Sequence, residues 1–142
     1  MTQEDKEQLL TYLTALSQYN VHCIVYNMNG TVRRKDDIIY YVAYENVVTV
    51  NSGDECYMYY QIKPYLRPLS SMTTEERNEW ADAFNEPLLE LEHYEGKEAE
   101  RMAPILFSKS HTISIDWLNK HHFDYRGLID KGLALDEKSK KA

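Results

Sequence analysis

His121 and His122 stand side by side, Asp124 follows two residues on, and Arg126 lies beyond Tyr125. Imidazole, carboxylate and guanidinium groups so close in sequence could bind a metal, exchange protons or hold an anion. The spacing argues against the metal. Neighbouring helical residues diverge by about 100°, so His121 and His122 cannot easily aim at one ion. His93, His111, Cys23 and Cys56 are scattered and lack the spacing of a structural zinc site. A histidine capping a helix C-terminus, where an imidazolium meets the negative dipole end, accounts better for the pair. Asp124 and Arg126 could flank a charged catalytic centre, but a salt bridge between them is the simpler expectation. A P-loop, GxGxxG, HExxH, GxSxG or CxxC pattern is not found, so the sequence names no catalytic residue, metal or cofactor.

Other candidate binding groups lie upstream. Twelve tyrosines are present, and Tyr57, Tyr59 and Tyr60 crowd one predicted strand. Strand alternation puts Tyr57 and Tyr59 on one face and Tyr60 on the other. They could be core rings with wet hydroxyls, or a recognition surface of large rings with little entropy to lose. Arg67, between Leu66 and Pro68, is placed either for an anionic ligand or for a structural ion pair. The candidate binding residues are therefore Tyr57, Tyr59, Tyr60, Arg67, His121, His122, Asp124, Tyr125 and Arg126.

The elements that must position these groups follow from apolar periodicity. Residues 2–18 predict a helix, with Thr2 and Asp5 as a capping pair and Leu9, Leu10, Leu13 and Leu16, with Tyr12, on one stripe. From Asn20 the pattern becomes β-rich: Val21–Tyr26, Ile38–Tyr44, Val47–Val50 and Cys56–Ile62, punctuated by Asn29-Gly30 and by residues 51–54. Arg33, Arg34 and Lys35 fall on a predicted loop, offset by Asp36 and Asp37. Four or five short strands suggest a small antiparallel sheet or an SH3-like partial barrel. Lys63–Pro68 predicts an extended, polyproline-like exit. Thr73 and Glu76 form a second capping box, followed by the stripe Trp80, Phe84, Leu88 and Leu91 on an acidic helix that Pro87 should kink or split. Residues 92–110, with Gly96 and Pro104, predict a loop. A short helix is expected over Ile113–Lys120, then an irregular packed stretch to Leu135 and a frayed tail over 136–142. The expected fold is α+β in a single domain over 1–142: a helix to 19, the β part over 20–69, a helical part over 70–135, and the tail.

Two stretches carry a resemblance. KPYLRPLSSMT at Lys63–Thr73, followed by an acidic helix and then by WLNKHHFDYRGLIDKGLAL at Trp117–Leu135, resembles the motifs of a family of uncharacterised phage- and prophage-encoded proteins of gut anaerobes. The wording of both motifs is specific, and they occur in the family's order. The resemblance implies a small protein of mobile-element origin and carries no catalytic residues with it. The regions before Lys63 and over 90–110 lie outside it.

Charge bounds the partners. The net charge of −7 is uneven: residues 74–107 hold ten acidic and three basic side chains, while residues 61–73 and 108–142 are each net +2. A nucleic-acid partner needs a broad basic face, which this pattern opposes; an acidic surface meeting a basic protein suits it. Two cysteines, both in apolar runs, predict buried free thiols and a reducing cytoplasm. A leader peptide or apolar span of 18 residues is not seen, so a membrane partner is not expected. The expected function is that of a non-enzymatic accessory protein of a mobile element, engaging a host or phage macromolecule, a protein in the first place. A small-ligand binder or small enzyme with a pocket between the β part and the C-terminal stretch is the alternative. Oligomeric state cannot be read from the sequence.

Overall fold

The computed structural model describes residues 2–42, 47–50 and 55–141. Tyr44 and the 51–54 turn lie outside the described residues, and so do the side chains of Tyr40 and Tyr41. The fold is α+β, and the chain forms two compact units: Met1–Leu69 with His122–Ala142, and Ser70–His121.

The first unit begins with α1 (Gln3–Leu16). Thr2 Oγ1 accepts the Asp5 N–H, and the Asp5 carboxylate accepts the Thr2 N–H in return. This reciprocal cap satisfies two donors that a helix start would leave open. Leu9, Tyr12, Leu13 and Leu16 recur at helical spacing and are buried. Asn20, at φ 54°, turns the chain into β1 (His22–Tyr26). Cys23 and Val25 point into the core, and their neighbours are only partly covered.

The turn to β2 (Val32–Val42) closes with Asn27 and Gly30. Gly30 has φ +89°, which a side chain would resist, so the Asn-Gly signal has a backbone cause. β2 pairs with β1 and with β3 (Val47–Val50), the second pairing being irregular between Ile39 and Tyr41. β4 (Glu55–Met58) pairs with β3. A 3-10 turn at Tyr59–Gln61 leads into β5 (Ile62–Pro68), which pairs antiparallel with β1.

Two later pieces join the sheet. β6 (Phe123–Asp124) pairs parallel with Arg67 and Pro68, and β7 (Leu135–Asp136) with Tyr65 and Leu66. The order is β4-β3-β2-β1-β5-β6, with β7 also on β5. The sheet is open, so the SH3-like barrel gives way to the simpler sheet.

Several expectations need correction here. Lys63–Pro68 is no free polyproline path but a strand with three partners. Arg33, Arg34 and Lys35 lie within β2, not on a loop. The 123–135 stretch contributes two short strands instead of irregular packing alone. Leu128, Leu133 and Ala134 join α1 and the sheet in one core, which explains why so apolar a segment is ordered.

The second unit is a helical hairpin. α2 (Thr74–Leu89) starts at a capping box in which Thr73 and Glu76 exchange bonds of 3.1 Å. Pro87 does not split it; the helix gives way to a 3-10 turn only at Glu90. α3 runs unbroken from Gly96 to Lys120, so the expected loop over 92–110 is largely helix and the short helix is its last third. An interior proline costs a helix about 3 kcal/mol. Here the cost is offset by a long seam with α2: Trp80 Nε1 donates to Ser114 Oγ at 2.8 Å, Ser110 Oγ donates to the Phe84 carbonyl, and Trp117 Nε1 donates to Glu79. The partners rise along one helix and fall along the other, so the hairpin is antiparallel.

The two thiols differ, which corrects the expectation that both are buried. Cys23 is fully buried and Cys56 is exposed. Burial, with Asp37 and Asp36 nearby, pushes the Cys23 thiol up to about 12. A disulfide reagent at neutral pH should therefore label one thiol in the folded protein, at Cys56, and two in denaturant. Rapid labelling of both without denaturant would contradict this assignment.

Candidate functional site

The structure separates the nine candidate binding residues into several places. In the first unit, His122, Asp124, Tyr125 and Arg126 lie where the chain re-enters the sheet beside Arg67. His122 has φ 64°, and its Nε2–H donates to the Tyr19 carbonyl at 2.8 Å. The carbonyl can only accept, so this nitrogen carries the proton. The Arg67 guanidinium lies 4.2 Å over the Phe123 ring, and its backbone N–H donates to the His122 carbonyl at 2.8 Å.

Asp124 is buried, and its two carboxylate oxygens accept the Leu128 and Ile129 N–H groups at 2.9 Å each. Its carboxylate thus closes the following turn instead of bridging to Arg126, which corrects the expected salt bridge. Arg126 lies over the rings of Tyr12 and Tyr125, 5.7 and 5.5 Å from their centroids. Those rings tilt together at 5.1 Å. The Tyr12 hydroxyl donates to the Phe123 carbonyl. Burial, then Tyr125 and Asp124, hold that hydroxyl far above the usual phenol range, so it stays protonated.

The tyrosines disperse. On β4, Tyr57 donates to Glu55 and accepts from Arg33 Nε at 2.9 Å, while Arg34 also binds Glu55. These hydrogen bonds, Tyr57 first and Arg34 second, hold the Glu55 carboxyl below its ordinary range. The 3-10 turn breaks strand alternation after Met58, so Tyr59 does not share a strand face with Tyr57. Tyr59 is buried in the core, its ring edge-on to Tyr60 at 5.5 Å. Tyr60 is 41% exposed and lines a groove of about 260 Å³ with Tyr26, Asn27, Met28, Gly30, Gln61 and Lys63. In the second unit, His121 caps α3 and stacks on Trp117, with ring centroids 4.0 Å apart.

Chemically, these groups are occupied by the fold. The Tyr12 hydroxyl and the Cys23 thiol are protonated and buried, and Asp124 has both oxygens bonded to backbone. Among the described residues no group of three or more His, Cys, Asp or Glu could hold a metal ion, and no helix is long and apolar enough to cross a membrane.

A different place emerges on the helical hairpin. Arg77, Trp80, Ala81, Phe84 and Asn85 of α2, with Ser114 of α3, line a predominantly apolar groove of about 380 Å³. Trp80 and Phe84 are only half-buried, although their spacing reads as a core stripe. The facing residues Ser110 and Ser114 are small and leave the two rings partly accessible. Charge adds to this. The unit Ser70–His121 carries eleven acidic and five basic side chains, net −6 of the chain's −7.

The chain matches no family model, no curated protein and no solved structure.

Proposed function

We infer that this is a non-enzymatic accessory protein of a mobile element that works by binding a protein of its host or phage. The observation that carries the reading is the aromatic stripe of α2, left half-covered on the most acidic part of the chain. Large rings held rigid at a surface are the usual energetic centres of protein interfaces, and an excess of one charge favours an oppositely charged partner. The same charge repels nucleic acid. The mobile-element origin rests on the motif resemblance at Lys63–Thr73 and Trp117–Leu135. Structural use of His122 and Asp124 supports binding over catalysis.

The alternative of a small-ligand binder or small enzyme needs polar groups converging on a pocket between the β part and the C-terminal stretch. Neither of the two grooves described above is lined by Arg67, His121, His122, Asp124 or Arg126.

Affinity purification of the tagged chain from cells of the organism that encodes it, with and without nuclease, tests the proposal. A protein retained in near-stoichiometric amount after nuclease is the expected result. Recovery that depends wholly on nucleic acid, or a co-purifying small molecule with no protein, would overturn it.

A further inference from the structure

We propose that the groove beside the β1–β2 turn receives a short acidic and aromatic segment of a partner protein, with its carboxylate on Lys63 and its ring over Tyr60 and Met28. This rests on the reading of the chain as a protein binder and adds a contact on the sheet unit.

The groove is charged at one point. Lys63 is the single charged residue that lines it among the described residues. Its Nζ lies 5.5 Å from the centroid of the Tyr26 ring. Among the described residues no carboxylate pairs with it. An ammonium held on a ring, half-buried and without a counter-ion, attracts one carboxylate and repels a cation. Acidic side chains outnumber basic ones by 23 to 16 in the chain, yet no described one lines this groove.

The walls are set before a partner arrives. Gln61 Nε2 donates to the Tyr26 carbonyl, and Gln61 Oε1 accepts the Met58 N–H, both at 3.0 Å. Asn27 Nδ2 donates to Thr31 Oγ1 at 3.0 Å, and the Gly30 N–H donates to the Asn27 carbonyl at 2.9 Å. These amides are committed to the fold, which leaves the Lys63 ammonium and the phenol hydroxyls to meet a ligand. The Tyr60 ring is braced edge-on by buried Tyr59. Tyr60 is 41% exposed and Met28 71% exposed. A ring and a thioether both favour an aromatic neighbour.

Size and charge select the source of the carboxylate. The groove is open and holds about 260 Å³, below the range of about 300–1,000 Å³ typical of sites that enclose a free small molecule. A segment of a larger partner needs only two neighbouring side chains there and makes its other contacts outside. A nucleic acid would bring a row of phosphates to one ammonium, on a chain of net charge −7.

The test uses the full chain, isotope-labelled for nuclear magnetic resonance, and a short peptide with glutamate next to phenylalanine between glycine-serine flanks. Amides of Tyr26–Gly30 and Tyr60–Lys63 should shift and saturate. The same peptide with glutamine for glutamate should bind about threefold or more weakly. Lys63→Gln should bring the two peptides to equal affinity, and Lys63→Arg, which keeps the charge, should retain the difference. Tyr60→Ala should weaken both peptides alike.

Equal affinity of the two peptides for the parent chain, a difference that survives Lys63→Gln, or no shift at the groove would overturn the proposal. So would phenylacetate that matches the peptide in shifts and affinity, since a free acid would then be the occupant. Tighter binding of a single-stranded oligothymidylate would likewise assign the groove to nucleic acid. Failure here is separable from failure of the broader reading. A protein partner retained from cells by the Lys63→Gln chain as by the parent leaves protein binding standing and removes the groove. Peptide discrimination with no partner recovered from cells does the reverse.

Discussion

Ending the chain at His122 is expected to unfold the sheet unit. The deletion removes β6 and β7, both of which pair with β5, and it removes Phe123, Leu128, Leu133 and Ala134 from buried positions. Three of these are large apolar side chains, each stabilising by roughly 1.5–3 kcal/mol when buried, or about 5–9 kcal/mol together. A domain's whole stability is about 5–15 kcal/mol. The loss is therefore of the same order as everything that holds the unit folded, and the exposed walls around Tyr12, Leu13 and Leu66 add to it. The proline-bearing β5 would also lose its parallel partners. Near-ultraviolet circular dichroism should lose its tyrosine signal, and amides of β1, β2 and β5 should exchange at unfolded rates. The helical hairpin behaves differently, because its seam of Trp80–Ser114, Phe84–Ser110 and Glu79–Trp117 lies wholly within Ser70–His121. Its amides should keep protection. A truncated chain that retains the full melting temperature would refute the structural role of the C-terminal stretch and make it a recognition element.

The pattern of what the sequence discloses is physical. α1 and the start of α2 are legible because their signals are local: a reciprocal cap between residues three apart and a large apolar side chain every third or fourth position. β1, β3, β4 and the second half of β2 are legible because alternation and the Asn29-Gly30 turn are local too, whereas the charged start of β2 reads as a loop and the prolines of β5 as a polyproline path. α3 is not legible over residues 92–110. Its seam uses Ser110 and Ser114, which look polar in sequence and act as small residues that let two helices approach. Gly96 and Pro104 add loop signals that tertiary packing overrides. β6 and β7 are two residues long, and their partner strand lies more than fifty residues earlier, so nothing local announces them. The same blindness affects the site. Histidine, aspartate and arginine side by side read as chemistry, whereas here they terminate a helix, close a turn and cover aromatic rings. The half-covered stripe at Trp80 and Phe84 reads as core, because a helix pattern shows which residues want burial and not whether the facing helix is large enough to supply it.

Asp124 separates the structural from the chemical reading of the C-terminal stretch. Its two oxygens accept the Leu128 and Ile129 N–H groups at 2.9 Å, inside the core region that Leu128 anchors. Asp124→Ala leaves both donors without this acceptor. Each unsatisfied buried donor costs about 1–3 kcal/mol, so a loss of roughly 2–6 kcal/mol is expected. Asp124→Asn keeps one acceptor oxygen but turns an NH₂ toward the second backbone donor, so it should fall between Ala and the parent. That order, parent above Asn above Ala, is specific to a carboxylate that receives two hydrogen bonds. A carboxylate that served as a general base or ligand would show a different signature: little change in stability, and equal loss of activity or binding in both variants. Urea unfolding followed by tyrosine fluorescence measures the order directly, with an unchanged denaturant slope marking a change in stability alone. If Asp124→Ala keeps the parent midpoint while partner binding disappears, the turn does not depend on the carboxylate, and Asp124 belongs to the recognition surface after all.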